Sequence, residues 1–178
     1  MTEQSKEFKY SILELASMGV GSTHNQTFKN SVDLAQKAEN WGYHRFWLAE
    51  HHNMVSIASS ATVVLIGHIA QSTNSIREGS GGIMLQNHSP LIVSEQFGTL
   101  GSLYPNRIDM GLGRAPGTDQ ATAHAIRPDR MKSVMSFPEE VAQIQQHFSP
   151  ENSSSHVRAY VAEGTNVPLY ILGSSTDS

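Results

Sequence analysis

The amino-acid sequence predicts an α/β protein with a parallel sheet, arranged either as a (β/α)8 barrel or as an open doubly wound sheet. Two observations predict it. Short apolar and aromatic runs alternate along the chain with longer segments whose apolar residues recur at helical spacing. Each of the polar or Gly-rich clusters at residues 50–53, 86–89, 113–117 and 173–178 follows directly on a predicted strand, which is where parallel α/β folds place their chemistry.

The first strand is expected over residues 10–16, where Ile12, Leu13 and Leu15 form a short apolar run, and residues 18–24 (MGVGSTH) read as the loop that follows. From Thr27 onward Phe28, Val32, Ala35, Ala38 and Trp41 recur at helical spacing, and Gly42 closes the helix as a C-terminal cap. Residues 44–49 (HRFWLA) form the second strand and stop abruptly at Glu50. Ser60 is then placed to cap a helix carrying Ala61, Val64, Leu65, His68 and Ile69. The third strand is expected over residues 80–85. Ser89 at an N-cap, Pro90 in the first helical position and the stripe Val93, Phe97, Leu100 and Tyr104 predict a helix that runs until Pro105. In the fourth strand Ile108, Met110 and Leu112 alternate with Asp109, Gly111 and Gly113. A long polar excursion follows, with a helix expected over residues 138–148, a solvated loop at 151–155 and a fifth strand over 167–172 (VPLYIL).

Composition bounds the function classes. Of 178 residues 38% are apolar and 16% charged, and 12 Lys and Arg stand against 16 Asp and Glu, for a formal charge of −4. This is the composition of a single globular domain, residues 1–178. It has no run of Lys or Arg to hold a phosphate backbone, so neither a nucleic-acid nor an anionic-membrane binder is expected. With no cysteine there is no disulfide framework, thiolate metal site or cysteine nucleophile. That fits a reducing compartment, and a cytoplasmic location is expected. The start, MTEQSKEFKYS, is polar where a secretory signal needs an apolar core, and no window approaches the roughly 18 apolar residues of a membrane span. The length suffices for one closed core, yet five predicted strands fall short of the eight in a complete barrel.

His51 and His52 are adjacent, so their side chains point to opposite faces if both continue the strand. Neither a His-x-His nor a His-x-x-x-His spacing is present, and no metal site is expected, although a barrel could converge the distant His24 and His88. At a strand's C-terminal end a neutral imidazole can donate a hydrogen bond to a ligand or act as a base; the bland alternative is a solvated pair. Gly79-Ser80-Gly81-Gly82 places small residues inside a strand, which calls either for a group close to the backbone, such as a flat ring, or for a bulge or barrel corner. Residues 111–117 (GLGRAPG) approach a dinucleotide loop, but the third glycine is one place late and Pro116 interrupts the helix start. What remains is Arg114, able to fork onto phosphate or to pair with Asp109 or Asp119. Residues 173–176 (GSST) offer backbone amides and hydroxyls as a phosphate cradle.

Taken together, WLAEHH (residues 47–52), REGSGGIMLQNHSP (77–90), EQFGTLGSLYPNRIDMGLGRAPG (95–117) and VPLYILGSS (167–175) resemble the bacterial luciferase-like monooxygenases, in that family's order and through essentially the whole chain. The resemblance implies a (β/α)8 TIM barrel, of which only about the first five strands are present here. The chain is therefore expected to be the N-terminal part of such a barrel, apparently truncated.

The resemblance further implies a flavin-dependent oxidoreductase or monooxygenase. Such an enzyme uses reduced FMN (FMNH2), supplied by a separate flavin reductase, and O2 to oxygenate a small organic substrate such as an aldehyde; the deazaflavin F420 is the alternative cofactor. His51 would be the active-site histidine beside the reactive edge of the flavin. Gly81 and Gly82 would lie under the isoalloxazine, joined by a non-proline cis peptide. Arg114 would bind the flavin phosphate, with Ser174, Ser175 and Ser178 as hydroxyl and amide partners. A homo-oligomer is expected, joined mainly through early helices such as the one that starts at Pro90. The competing expectation is a non-catalytic flavin-binding protein derived from the fold; a metal-dependent barrel hydrolase is disfavoured by the ligand spacing.

Overall fold

Strands and helices alternate as the periodicity predicts. A computed structural model describes residues 8–115, 117–128 and 135–173. In chain order these form β1 (Ser11–Glu14), α1 (His24–Asn40), β2 (Arg45–Leu48), α2 (Thr62–Ser72), β3 (Arg77–Ser80), β4 (Ile83–Met84), α3 (Pro90–Leu103), β5 (Ile108–Gly113), α4 (Gln120–Ile126), α5 (Phe137–Phe148) and β6 (Leu169–Leu172). Short 3-10 turns follow β4 at Leu85–Asn87 and α5 at Pro150–Ser154.

Every strand pair is parallel: β1 with β2, β2 with β3, both β3 and β4 with β5, and β5 with β6. Since β3 and β4 are two pieces of one strand path, each strand lies beside its predecessor and the sheet grows in one direction only. A doubly wound sheet reverses that direction at its centre. The order here is that of a partial (β/α) barrel, which decides between the two architectures open to the sequence.

Phe46 and Leu48 of β2 and Ile108, Met110 and Leu112 of β5 are buried and pack with Ile66 and Ile69 of α2 and Val93 and Phe97 of α3. Burying one such side chain contributes about 1.5 to 3 kcal/mol. By the strand period of two, Arg45, Trp47 and Asp109 occupy the opposite, inner face. There Arg45 Nε and Trp47 Nε1 donate to Asp109 Oδ2 at 2.9 and 3.2 Å, Arg77 Nε adds a bond at 3.1 Å, and Arg45 reaches the Tyr170 hydroxyl at 2.8 Å. This carboxylate, fully buried, is thus compensated by two guanidinium groups at the strands' N-terminal end.

The predicted third strand is broken. Glu78 and Gly79 pair with Ile108 and Asp109, and Ile83 and Met84 pair with Leu112 and Gly113, so one path advances four residues while its partner advances three. The extra residue falls at Gly81–Gly82, whose peptide bond is cis. A Cβ on Gly82 would lie 2.8 Å from the Gly111 oxygen, and one on Gly79 2.4 Å from the Asp109 oxygen. The groups that crowd these two glycines are therefore backbone atoms of β5, which is the bulge reading of the sequence.

Local boundaries shift for physical reasons. The strands are shorter than the apolar runs that signal them, because pairing ends where the chain turns: Ala16 already has a φ of 52°. Thr23 caps α1 by accepting from Gln26 N at 3.2 Å, so the helix begins a turn earlier than Thr27, and Trp41, beyond its last turn, is 65% exposed. Ser60 does not cap α2; the cap position is Ala61, which makes no side-chain bond. Ser89 holds the expected N-cap position of α3, with Pro90 following, but makes no side-chain bond either. The polar excursion contains a helix, α4, which Asp119 caps by accepting from Thr122 N at 3.0 Å. Residues 151–155 are not simply a solvated loop, since most belong to a 3-10 turn that buries Asn152. Among the described residues no helix is long and apolar enough to cross a membrane.

Candidate active site

The C-terminal ends of β2, β4 and β5 meet on one face, and the chain beyond β2 organises it. Glu50 is 1% exposed and turns into the sheet. Its Oε1 accepts from His52 Nε2 at 2.8 Å, His88 Nε2 at 2.9 Å and Asn87 Nδ2 at 3.1 Å, and its Oε2 accepts from Met84 N at 2.9 Å. Burial opposes ionisation of this carboxyl, but the bonds from His88, then His52 and the Met84 amide, outweigh it and hold Glu50 below its ordinary range. His88, distant in sequence, does converge on the site, as a partner of Glu50. Among the described residues no group of three His, Cys, Asp or Glu is arranged to hold a metal ion.

His51 goes another way. It lines a cleft of about 360 Å3 with His24, Phe28, Met54 and Ile57, and its buried Nδ1 has no hydrogen-bond partner. His52 is tied down as well as bonded to Glu50: its N–H donates to Gly117 O at 3.3 Å and its carbonyl accepts from Thr118 Oγ1 at 2.9 Å. Asn53 Nδ2 donates to Asp119 Oδ2 at 3.3 Å and Thr122 Oγ1 at 2.9 Å. The loop after β5 is thereby laid onto the loop after β2. Gly117 has a φ of +64°, and a Cβ there would stand 2.7 Å from the Glu50 carbonyl, so only glycine fits this contact.

Arg114 follows β5 directly and is exposed, and its guanidinium has no partner among the described residues. The surface pairing open to it in the sequence is not made. Asp109 is taken by Arg45 and Arg77, and Asp119 caps α4. The Arg114 carbonyl accepts from Gln86 Nε2, while the buried Gln86 Oε1 has no partner. Gly113 pairs with Leu172, so Arg114 and Gly173 occupy neighbouring strand ends. Ser174, Ser175, Ser178 and Pro116 lie outside the described residues.

Sequence reasoning therefore placed His51 and Arg114 at strand ends and the Gly81–Gly82 pair inside the third strand, and gave Glu50 and Gln86 no role of their own. The available signal was an acid set between an apolar strand and two histidines, with no neighbouring Lys or Arg to pair with it.

Parallel strands in barrel order, with polar groups gathered at their C-terminal ends, define a protein of the β/α-barrel class. Within that class the chain belongs to the luciferase-like monooxygenase family, whose family model matches residues 8–178. It is 56% identical over 97% of its length to the uncharacterized protein YvbT of Bacillus subtilis, and 51% identical over 96% to a luciferase-like monooxygenase of Escherichia coli K12, covering 51% of each. A B. subtilis protein named N-acetyl-S-alkylcysteine monooxygenase is 41% identical over 96% of this chain and 52% of its own. The chain thus spans about half the length of the curated relatives it matches.

Among solved structures, apo-MsnO8 superposes with a TM-score of 0.88 at 36% identity, over 96% of this chain and 51% of that one. Two more distant structures share the fold alone. One is the FMN-bound oxygenating constituent of 3,6-diketocamphane monooxygenase from Pseudomonas putida, with a TM-score of 0.73 at 15% identity over 92% of this chain and 50% of that one. The other is an F420-dependent secondary alcohol dehydrogenase, with a TM-score of 0.69 at 17% identity over 93% of this chain and 52% of that one.

Proposed function

We propose that this chain supplies the N-terminal part of a flavin-dependent monooxygenase, which binds reduced FMN across the strand ends and uses O2 to oxygenate a small organic molecule. The observation that carries the reading is Arg114, an uncommitted guanidinium beside the end of β6, on the face where His51 Nδ1 is left unpaired. These groups fit a flavin in chemical type. Phosphate oxygens suit a guanidinium fork. The polar edge of the ring suits a buried imidazole nitrogen and the free Gln86 Oε1. In this reading Arg114, with Ser174, Ser175 and Ser178, would hold the phosphate, Gly81 and Gly82 would lie beneath the ring, and His51 would hold or move a proton at Nδ1.

The flavin, when bound, supplies the redox chemistry that O2 activation requires. Phe28, Met54 and Ile57 would seat the apolar part of the substrate beside His51 and exclude water. An aldehyde fits this reading, and the name of the 41%-identical relative supports a thioether as the other substrate class. FMN is the cofactor proposed, from a separate reductase in the cytoplasm, with F420 as the alternative. A non-catalytic flavin-binding protein is the second reading, favoured by one observation: among the described residues β1 and β6 each have a single strand neighbour.

Titration with FMN and with riboflavin, read by flavin fluorescence, tests the assignment. Arg114→Ala is expected to weaken FMN binding by roughly 1.5 to 3 kcal/mol, about ten- to a hundredfold, and to leave riboflavin binding unchanged. Equal weakening of both ligands would remove Arg114 from the phosphate.

A further inference from the structure

The functional reading leaves unexplained why a fully buried carboxylate stands at the centre of the strand ends with two histidines as partners. Asp109, the comparable buried acid on β5, takes two arginines. Glu50 takes His52 Nε2 at 2.8 Å, His88 Nε2 at 2.9 and 3.0 Å, Asn87 Nδ2 at 3.1 Å and Met84 N at 2.9 Å. An ionised carboxylate only accepts, so each imidazole must present an N–H at Nε2. Two further donors, an amide side chain and a backbone N–H, already occupy the same oxygens, which leaves no room for the reverse polarity. Among the described residues neither His52 nor His88 has a partner at its other ring nitrogen, and the two side chains remain 21% and 29% exposed. An arginine in either place would neutralise the acid and present donors only. A neutral histidine gives the acid one N–H and keeps its other ring nitrogen as an acceptor.

We propose that Glu50 is a positioning residue: it fixes His52 and His88 as Nε2–H tautomers, so that both rings offer Nδ1 as a hydrogen-bond acceptor to a ligand carrying N–H or O–H groups. The strand ends around Glu50 are thereby set to receive donors. That last step rests on the functional reading above, whereas the tautomers follow from the geometry around Glu50 alone. The arrangement also ties together the chain segments that this reading uses. Glu50 precedes His51, its carboxylate holds the amide of Met84 just beyond Gly81–Gly82, and its carbonyl is the surface on which Gly117 of the Arg114 loop rests.

Long-range proton–nitrogen NMR on the chain labelled with 15N-histidine reads the tautomers directly, with His52→Asn and His88→Asn assigning the two signals. Both imidazoles are expected to carry a proton on Nε2 and none on Nδ1; either one protonated on Nδ1, alone or together with Nε2, overturns the proposal, with no Glu50 variant needed. Glu50→Gln keeps the shape but has one acceptor oxygen and a donating NH2, and is expected to convert at least one ring to the Nδ1–H form. Two unchanged tautomers in a folded Glu50→Gln would reduce Glu50 to packing. FMN titration of the same samples separates the two readings. An unmodified chain that binds no FMN yet shows both Nε2–H tautomers supports the role of Glu50 and overturns the flavin assignment.

Discussion

At the scale of single residues, Glu78 shows how burial can set a charge state. Its carboxyl lies on the helix-facing side of β3, fully buried, with Oε2 unpartnered and Thr73 Oγ1 3.5 Å from Oε1. The single proton of that hydroxyl has a better acceptor in the Ile69 carbonyl at 3.0 Å. Burial raises the Glu78 pKa to about 8, against the pull of the Arg107 charge. The folded protein then keeps a proton that the unfolded chain releases above its ordinary value of 4.5. Stability must therefore fall as pH rises from about 4.5 to about 8, and level off beyond. Glu78→Gln is expected to flatten Tm against pH across that window and to leave the variant more stable above pH 8, by an amount on the order of a few kcal/mol. A variant that keeps the parent's slope would show that another group carries it. The signal in the sequence was weak: an acid at a strand position is ordinary on a solvated face, and only the cover provided by α2 makes this one costly.

At the scale of elements, legibility followed the range of the interactions. α1 and α3 announce themselves because caps and apolar stripes are local, within a few residues of one another. The break between β3 and β4 is set by β5, nearly thirty residues on, and the Glu50 cluster by partners 34 to 38 residues away. Neither is written in a local period. The strand-end positions of His51 and Arg114 were legible because parallel α/β folds put polar clusters after their strands, a rule of topology that needs no side-chain contact.

The turn from α2 to β3 is a further non-local device. Glu39, on α1, accepts from the backbone N–H groups of Asn74, Ser75 and Ile76. Partial burial opposes ionisation, but the three amides outweigh it and hold the carboxyl at about 2. A depressed acid stabilises above its unfolded pKa, so this contribution is full above about 4.5 and is lost as pH falls toward 2. After discounting for solvent screening, Glu39→Gln is expected to cost about 1 kcal/mol at neutral pH and nothing below pH 2. Denaturant melts at the two pH values check it, and an equal loss at both would assign the effect to shape.

At the scale of the whole molecule, the described sheet ends at β1 on one side and β6 on the other. Among the described residues β1 pairs only with β2 and β6 only with β5, and the N–H and C=O groups of an unpaired strand edge readily pair with another chain. Apolar side chains stand exposed on and beside them: Leu13 is 53%, Tyr10 64% and Ile171 43% exposed. On the inner face the Trp47 and Tyr170 rings meet edge to face, with centroids 5.1 Å apart, and neither is fully covered. Soluble monomers rarely tolerate a contiguous apolar patch above a few hundred Å2. A formal charge of −4 spread over the whole chain gives little repulsion to keep two such edges apart. The 178-residue chain by itself is therefore expected to self-associate through β1, β6 and the inner face. Sedimentation velocity at about ten to fifty micromolar should show species larger than the monomer. Replacing Leu13 with Lys, which puts a charge on the β1 edge, should shift the distribution toward the monomer. A monodisperse monomer that melts cooperatively in the same range would mean that five parallel strands close a core unaided. The open inner face would then be a surface the isolated protein keeps.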